Sequence, residues 1–397
     1  MITDLTEGKP SKILWSFSIP MLLSVVFQQL YNIVDSIVAG KFVGAQALAA
    51  VGASYPITMI FMAIATGANV GAAVIISQLF GAKNFEKLKT SIFTSIISMT
   101  VLAAIFTIFG IVFCSGMLKM LSTPENIFSD SMTYLNIYIG GLIFLFLYNI
   151  CTGIFTAMGD SKTPLYFLIM SSVGNIILDL VFVIVFNMGV AGVGWATFIA
   201  QGISVVLSFF VFMIQLRKLK IGKTTLFDMT ELVTMAKIAF PSILQQSTVS
   251  IGLMLVQSSV NNFGSEVLAG FSAAMRIESV CVVPMAAIGN ALSSYTAQNI
   301  GAGKMERVPQ GYKCANIMVI ISGIVILAVI ELFNGQIMSL FMGGDATKEA
   351  FDTGYNLMAY MGFFYSMIGF KNGCRSAFKR CRGYGNVYCC QLGKPFL

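Results

Sequence analysis

The segment ILWSFSIPMLLSVVFQQLYNIVDSIV (13–38) decides the fold class, because it is long enough and apolar enough to cross a bilayer as one helix. A bilayer core needs about 20 consecutive apolar residues in helical form. The same character extends over the whole chain of 397 residues, of which 57% are hydrophobic and 10% charged. Soluble domains carry about 25% charged residues. The composition therefore predicts an all-α, polytopic membrane protein.

Apolar runs between glycine, proline and charged residues predict the remaining spans. Counting the first segment, the predicted spans lie near 13–38, 52–80, 91–117, 132–157, 164–187, 190–216, 233–262, 268–298, 314–340 and 351–371. With the N-terminus inside, the outside loops hold three basic residues, Lys41, Lys119 and Lys348, whereas the inside loops hold thirteen Lys and Arg residues. Cytoplasmic loops carry an excess of basic residues, so a cytoplasmic N-terminus is predicted. The polar N-terminal segment lacks the features of a cleaved signal peptide, and we expect the first span to be retained.

The chain contains an internal repeat. QLFGAKNFEKL (78–88) reappears as QNIGAGKMERV (298–308), a shift of 220 residues, and Pro20 reappears as Pro241 with one residue of slippage. Two bundles with the same topology are a known transporter architecture, with the substrate site near the bilayer midplane. The predicted domains are an N-terminal six-helix bundle (1–216), a cytoplasmic linker (217–232), an incomplete C-terminal bundle (233–371) and an aberrant tail (372–397).

The tail departs from the rest of the chain in composition. It is rich in Cys, Arg and Gly, and only four spans are readable after residue 232 although the repeat predicts six. Back-translation of FKRCRGYGNVYCCQLGKPF (378–396), read one base later, permits LKGAGDMAMFTVANLVNLS, which is similar to FTAMGDSKTPLYFLIMSSVGN (155–175). We interpret the tail as the product of a frameshift; a genuine basic cytoplasmic tail is the alternative.

Polar residues form a stripe inside the first span. Gln28, Tyr31, Asn32 and Asp35 are spaced three, four and seven residues from the first, so they share one helical face. An aspartate at the centre of a membrane helix costs about 2.5–3.5 kcal/mol on insertion scales and indicates a functional site. The stripe is expected to face a water-filled cavity. The alternative is that Asp35 lies near the outer helix end and simply meets water.

A second carboxylate stands in the fifth span. Asn175 and Asp179 are four residues apart on one face, and Thr197 of the sixth span would add a hydroxyl. Neither span contains Lys or Arg to neutralise the acid permanently. An exchangeable cation is therefore favoured over a structural ion pair. A proton taken up on one side of the membrane and released on the other satisfies this requirement, and so does Na⁺, held by the oxygen atoms of these residues and Asp35.

The second half lacks counterparts of these acids. It carries Arg276 and Glu278 at the start of the eighth span, which point to different sides of the helix because they are two residues apart. Glu278 is either a second coupling acid or the partner of Arg276 or Lys237. Arg276 is expected to be the one buried basic group of this half.

Several function classes are excluded by what the sequence lacks. It contains no histidine, no closely spaced cysteine pairs of zinc-site type and no GxxxxGK[ST] motif, so neither a metal site nor an ATP site is predicted. No catalytic arrangement of nucleophile and base is available, and the chain is predicted not to be an enzyme. The net charge of +7 resides mostly in inside loops and requires no nucleic acid partner.

Several stretches of the sequence resemble a known family. IPMLLSVVFQQLYNIVDSIVAGKFVGAQALAAVGASYP (19–56), the Q-x-x-G-A loop in both halves, MGDSKTP (158–164) and NIILDLVFV (175–183) are similar to MATE (multidrug and toxic compound extrusion) transporters. The likeness covers about residues 5–370 and points to the bacterial group that includes MepA and the DinF-like members.

The resemblance implies twelve helices in two bundles and a monomer in the bacterial inner membrane. It implies that H⁺ or Na⁺ influx drives export of cationic, amphipathic substrates, with no cofactor besides the coupling ion. Asp35, Asn175, Asp179 and Thr197 match the family's cation-coupling positions, and Gln28 and Tyr31 match positions that line the cavity. A flippase for lipid-linked saccharides, which needs several basic groups, and an inactive truncated remnant are the alternatives.

Resequencing the gene tests the interpretation of the tail. A frameshift predicts a one-base difference upstream of the codons for 378–396, after which the reading frame continues into two further apolar spans. A clean in-frame read from Lys371 to Leu397 would establish a genuine basic tail.

Overall fold

The computed structural model describes residues 3–38, 42–121, 123–218, 224–261, 263–342, 347–362 and 364. Every regular element within these ranges is helical, which confirms the predicted fold class. The elements are α1 (Pro10–Val38), α2 (Ala45–Gly81), α3 (Phe85–Met120), α4 (Glu125–Gly140), α5 (Leu142–Ala157), α6 (Lys162–Leu180) with a π turn (Val181–Val185), α7 (Gly189–Lys218), α8 (Met229–Asn261), α9 (Ser265–Cys281), α10 (Val283–Gly301), α11 (Arg307–Met342) and α12 (348–362).

The helices correspond to the predicted spans in order. In the described part of the chain, seven segments are long and apolar enough to cross a membrane, one of them formed by α9 together with α10, and α4 with α5 forms an eighth span bent by 46°. The predicted span 233–262 is helical, as α8, but falls outside this set, since the polar stretch QQSTVS (245–250) interrupts its apolar character. The tail lies outside the described residues, as does the end of the tenth span.

The contacts divide the chain into two compact units. Unit 1 comprises Met1–Asp4 and Phe27–Ser247, and unit 2 comprises Leu5–Val26 and Thr248–Leu397. Both α1 and α8 are therefore shared between the units, and the two changeover points, after residues 26 and 247, lie 221 residues apart. This spacing is the shift between Pro20 and Pro241, so the changeover follows the internal repeat. The domain limits 1–216 and 233–371 rest on the repeat and on the polar linker 217–232, and they stay a prediction.

In unit 1, close helix packing depends on two glycines of α2. A Cβ atom at Gly67 would stand 2.7 Å from the Ile243 Cα atom, and one at Gly71 would stand 2.9 Å from the Ala239 Cβ atom. Gly67 and Gly71 are four residues apart, and so are Ala239 and Ile243, so each pair lies on one face of its helix. Small residues at this spacing let membrane helices approach closely. The first half of α8 is thereby held against α2.

The start of α6, the helix that carries Asn175 and Asp179, is fixed by a carboxylate cap. Asp160 Oδ1 accepts from the backbone N–H of Lys162 and Thr163 at 3.2 and 3.1 Å, and Oδ2 accepts from the Thr163 hydroxyl at 2.7 Å. Gln215 Nε2 of α7 also donates to Oδ2, at 3.2 Å. Burial disfavours the charged form, but the hydrogen bonds from Thr163 outweigh it and hold the pKa of Asp160 below its ordinary value. The cap therefore ties the start of α6 to α7.

In unit 2, the glutamine of the repeated loop holds the chain that precedes α1. Gln298 Oε1 accepts from the Leu5 backbone N–H at 3.0 Å, and Asn299 Nδ2 donates to the Leu5 carbonyl at 3.2 Å. Arg307 Nε donates to Asn299 Oδ1 at 2.9 Å and fixes that amide. Both amide side chains are completely buried. The Q-x-x-G-A motif thus has a structural role in this half.

Substitution of Gly71 by alanine tests the α2–α8 packing. The added methyl group overlaps α8, and overpacking of this kind costs about 1–3 kcal/mol. We expect a lower thermal midpoint for Gly71→Ala in detergent, measured by fluorescence-detected size exclusion. Gly52→Ala is the matched control on the same helix, because a Cβ atom there has no neighbour within 4 Å. Alanine favours helix, so the control should be neutral or stabilising; equal midpoints for the two variants would contradict the packing.

Candidate functional site

The candidate site lies within unit 1, between α6 and α7. The Asp179 side chain is completely buried and Asn175, one turn earlier on the same face of α6, is 2% exposed. Thr197 of α7 lies opposite Asn175. The structure therefore brings together the three residues that the sequence analysis selected from the fifth and sixth spans.

The Asn175 amide can take two orientations in this cluster. In one, Nδ2 donates to Asp179 Oδ2 at 2.9 Å, while Oδ1 accepts from Thr197 Oγ1 at 3.3 Å and from the Thr197 backbone N–H at 3.0 Å. This orientation satisfies donors and acceptors together. In the other, the amide oxygen stands 2.9 Å from Asp179 Oδ2, and Nδ2 donates to Thr197 Oγ1 at 3.3 Å but also faces the Thr197 backbone N–H, a second donor, at 3.0 Å. Two acceptor oxygens at 2.9 Å repel each other unless a proton or a cation lies between them.

The helices around the cluster carry no basic residue in their apolar segments. Residues 163–216, which include nearly all of α6 and α7, contain no Lys or Arg, and the same holds for 42–82 and 120–161. Burying a carboxylate costs several kcal/mol, which a partner of opposite charge offsets. The oxygen atoms of Asp179, Asn175 and Thr197 are the ligand type that hard cations prefer. The cluster can therefore hold a proton or Na⁺.

The α6 helix changes its geometry directly after Asp179. Leu180 is followed by the π turn Val181–Val185, in which the Phe186 N–H donates to the Val181 carbonyl at 3.0 Å. π turns are rare, and those found within α-helices are frequent at functional sites; this one forms the end of the helical segment that carries Asp179. No feature of the sequence predicted this turn.

The residues predicted from α1 are only partly placed. Gln28 is exposed and Tyr31 is half-buried, and both belong to the part of α1 in unit 1. The side chains of Asn32 and Asp35 lie outside the described residues. The predicted convergence of Asp35 with Asp179 therefore stays a prediction.

One expectation for the second half is wrong. Arg276 is exposed, not buried, because it lies on a face of α9 that the other helices leave uncovered, whereas Ile277 next to it packs into the core of unit 2. Glu278 is half-buried, and within the described ranges it makes no ion pair with Arg276. The sequence pattern could not assign these faces, since α9 carries small and polar residues on several sides.

Sequence reasoning missed part of the polar surroundings of Thr197. Tyr134 and Tyr138 of α4 and Gln201 of α7 line a small pocket to which Thr197 also contributes. Gln201 follows Thr197 by four residues and so shares its helical face. This four-residue spacing is visible in the sequence and could have identified Gln201 as a neighbour of Thr197.

The fold is helical and polytopic, and the chain contains an internal repeat. It also holds a buried acid among amide and hydroxyl groups. Together these features are typical of the class of membrane transporters. A family model described as MatE matches residues 20–181 and 241–387. The chain belongs to the MATE family.

The relatives carry related names. The chain is 32% identical over 367 residues to "Probable multidrug resistance protein YpnP" of Bacillus subtilis (strain 168), covering 92% of this chain and 81% of that protein. It is 23% identical to a protein named "FAD transporter" of Shewanella oneidensis, covering 83% and 74%. A solved structure of an outward-facing multidrug resistance MATE transporter superposes with a TM-score of 0.89 at 24% identity, covering 98% of this chain and 86% of that one. At 24% identity, this similarity shows a shared fold and carries no conclusion about function.

Proposed function

We propose that this protein is a cation-coupled antiporter, in which influx of H⁺ or Na⁺ drives export of cationic, amphipathic molecules by alternating access. The observation that carries the proposal is the complete burial of Asp179 beside Asn175 and Thr197, on helices whose apolar lengths (163–216) contain no Lys or Arg. The carboxylate is a group at which a proton or Na⁺ can bind and from which it can leave again.

The Asn175 amide links the acid to α7. With Asp179 ionised, the amide nitrogen donates to Asp179 Oδ2, and the amide oxygen accepts from the hydroxyl and the backbone N–H of Thr197. A proton or Na⁺ on Asp179 weakens the first of these hydrogen bonds, so cation occupancy affects the contact between α6 and α7.

The choice of substrate class rests on the relatives and on charge. Several relatives are named multidrug resistance or multidrug export proteins. The N-terminal half carries Asp179 and no Lys or Arg within 42–82, 120–161 and 163–216, and this charge balance favours cationic substrates over anionic ones. One relative is named "FAD transporter", so FAD is the anionic substrate to compare with a cationic one. A flippase for lipid-linked saccharides needs several basic groups, and the segments 42–82, 120–161 and 163–216 contain no Lys or Arg.

The location follows from the fold and the basic loops. The family is one of bacterial multi-pass membrane proteins, and thirteen basic residues against three favour a cytoplasmic N-terminus in the inner membrane. We propose a monomer, since each chain contains its own cation cluster. An inactive remnant remains the alternative for the chain with its present tail.

Efflux of ethidium from bacterial cells tests the proposal. Both this chain and a version with the reading frame restored after residue 377 are expressed, with ethidium and FAD as the two substrates. Ethidium efflux by at least one version supports the antiporter; efflux by the restored version alone identifies the present chain as a remnant. FAD efflux without ethidium efflux would contradict the cationic substrate class.

In whichever version is active, Asp179→Asn should abolish ion-driven efflux with unchanged expression, because the amide cannot bind a proton or balance a cation. Thr197→Val should reduce efflux about fivefold, the effect of one net hydrogen bond. Asp130→Asn is the matched control, since Asp130 is exposed on α4. Normal efflux in Asp179→Asn would refute the coupling role.

A further inference from the structure

The pocket beside Thr197 lies between α4 and α7, within unit 1. Tyr134 and Tyr138 line it from α4, and Thr197 and Gln201 line it from α7. Thr197 is thus shared between the pocket and the Asp179 cluster. Its hydroxyl contacts Asn175 on one side and borders the pocket on the other.

The size of the pocket decides what it can hold. Its volume, measured over the positions that the centre of a water molecule can take, is about 10 Å³. One water molecule needs about 10–15 Å³ by this measure, whereas sites for drug-sized ligands have volumes of about 300–1,000 Å³. The pocket therefore fits one water molecule and excludes a drug.

The polar groups of the pocket are suited to a water molecule. Gln201 lies in the middle of α7, and its amide makes no hydrogen bond to any other residue in the part of the chain that the structure describes. An amide at membrane depth without a partner is costly, and an ordered water that also contacts other polar groups removes the cost. Thr197 Oγ1 keeps hydrogen-bonding capacity toward the pocket in both orientations of the Asn175 amide.

Two glycines keep the pocket open. A Cβ atom at Gly194 of α7 would stand 3.2 Å from Ile137 Cγ2, and one at Gly141 would stand 3.1 Å from Phe198 Cδ2. Ile137 and Phe198 also line the pocket. An added methyl group at Gly194 therefore pushes Ile137 toward the space available for the water.

We propose that a water molecule bridges Thr197 and Gln201 in this pocket and forms the exchange site for the cation at Asp179. The inference rests on the proposed function. The Thr197 hydroxyl donates to Asn175 and accepts a hydrogen bond from the water, and the water is also bound to Gln201. The bridge solvates the cation as it arrives and leaves, so it sets the rate of exchange without contributing to substrate affinity.

The test uses the active version in proteoliposomes, with an imposed pH or Na⁺ gradient and ethidium as the substrate. Gln201→Met keeps the length of the side chain and removes its hydrogen bonds. Gly194→Ala narrows the pocket. Loss of one net hydrogen bond corresponds to about a fivefold slower ion-driven efflux. We expect this decrease in both variants, with an unchanged ethidium Kd. Gly116→Ala is the matched control and should keep the parental rate, because a Cβ atom at Gly116 has no neighbour within 4 Å.

The outcomes separate this inference from the proposed function. If Asp179→Asn is inactive while Gln201→Met keeps the parental rate, the coupling role stands and the water bridge is wrong. If Asp179→Asn is active, the proposed function itself fails. A weaker ethidium Kd in Gln201→Met with unchanged ion dependence would make the pocket part of the substrate site and overturn the bridge. Should Gly194→Ala fail to fold, Gln201→Met alone decides, since it preserves the volume.

Discussion

A buried carboxylate in a membrane-spanning helix must be neutralised, and this requirement organises unit 1. Asp179 is completely buried, and the helices beside it carry no Lys or Arg along their apolar lengths. Desolvation makes such a charge costly by several kcal/mol, and in the proposed function a proton or Na⁺ from solution reduces that cost. The amide of Asn175 and the hydroxyl of Thr197 surround the acid with groups that can both donate and accept.

The rest of unit 1 holds this cluster in place. The Asp160 cap fixes the start of α6 and contacts α7 through Gln215, so the two helices that meet at the cluster are also tied at the other end. Glycines at 67 and 71 let α8 approach α2, and a buried apolar core from α2, α3, α4, α5 and α7 packs these helices together. A rigid scaffold matters here because the hydrogen bonds of the cluster form only if the helices that carry them stay in position.

The sequence predicted the fold to the extent that hydropathy and repeat symmetry determine it. Each predicted span has a helix, since about 20 apolar residues leave the backbone no other way to satisfy its hydrogen bonds in lipid. The spacing of Asn175 and Asp179 predicted their shared face for the same geometric reason. The division of α1 and α8 between the units could not be predicted, because it depends on packing between residues far apart in sequence. The face of Arg276 and the π turn after Leu180 escaped prediction because the neighbouring composition permits several arrangements.

Binding of the coupling ion to the purified protein tests the central claim most directly. In detergent without substrate, uptake of protons and binding of radioactive Na⁺ are measured for the parental protein and for Asp179→Asn. The account predicts saturable binding of one of the two ions by the parental protein and a clear loss of that binding in the variant. Equal binding by both proteins, for both ions, would contradict it.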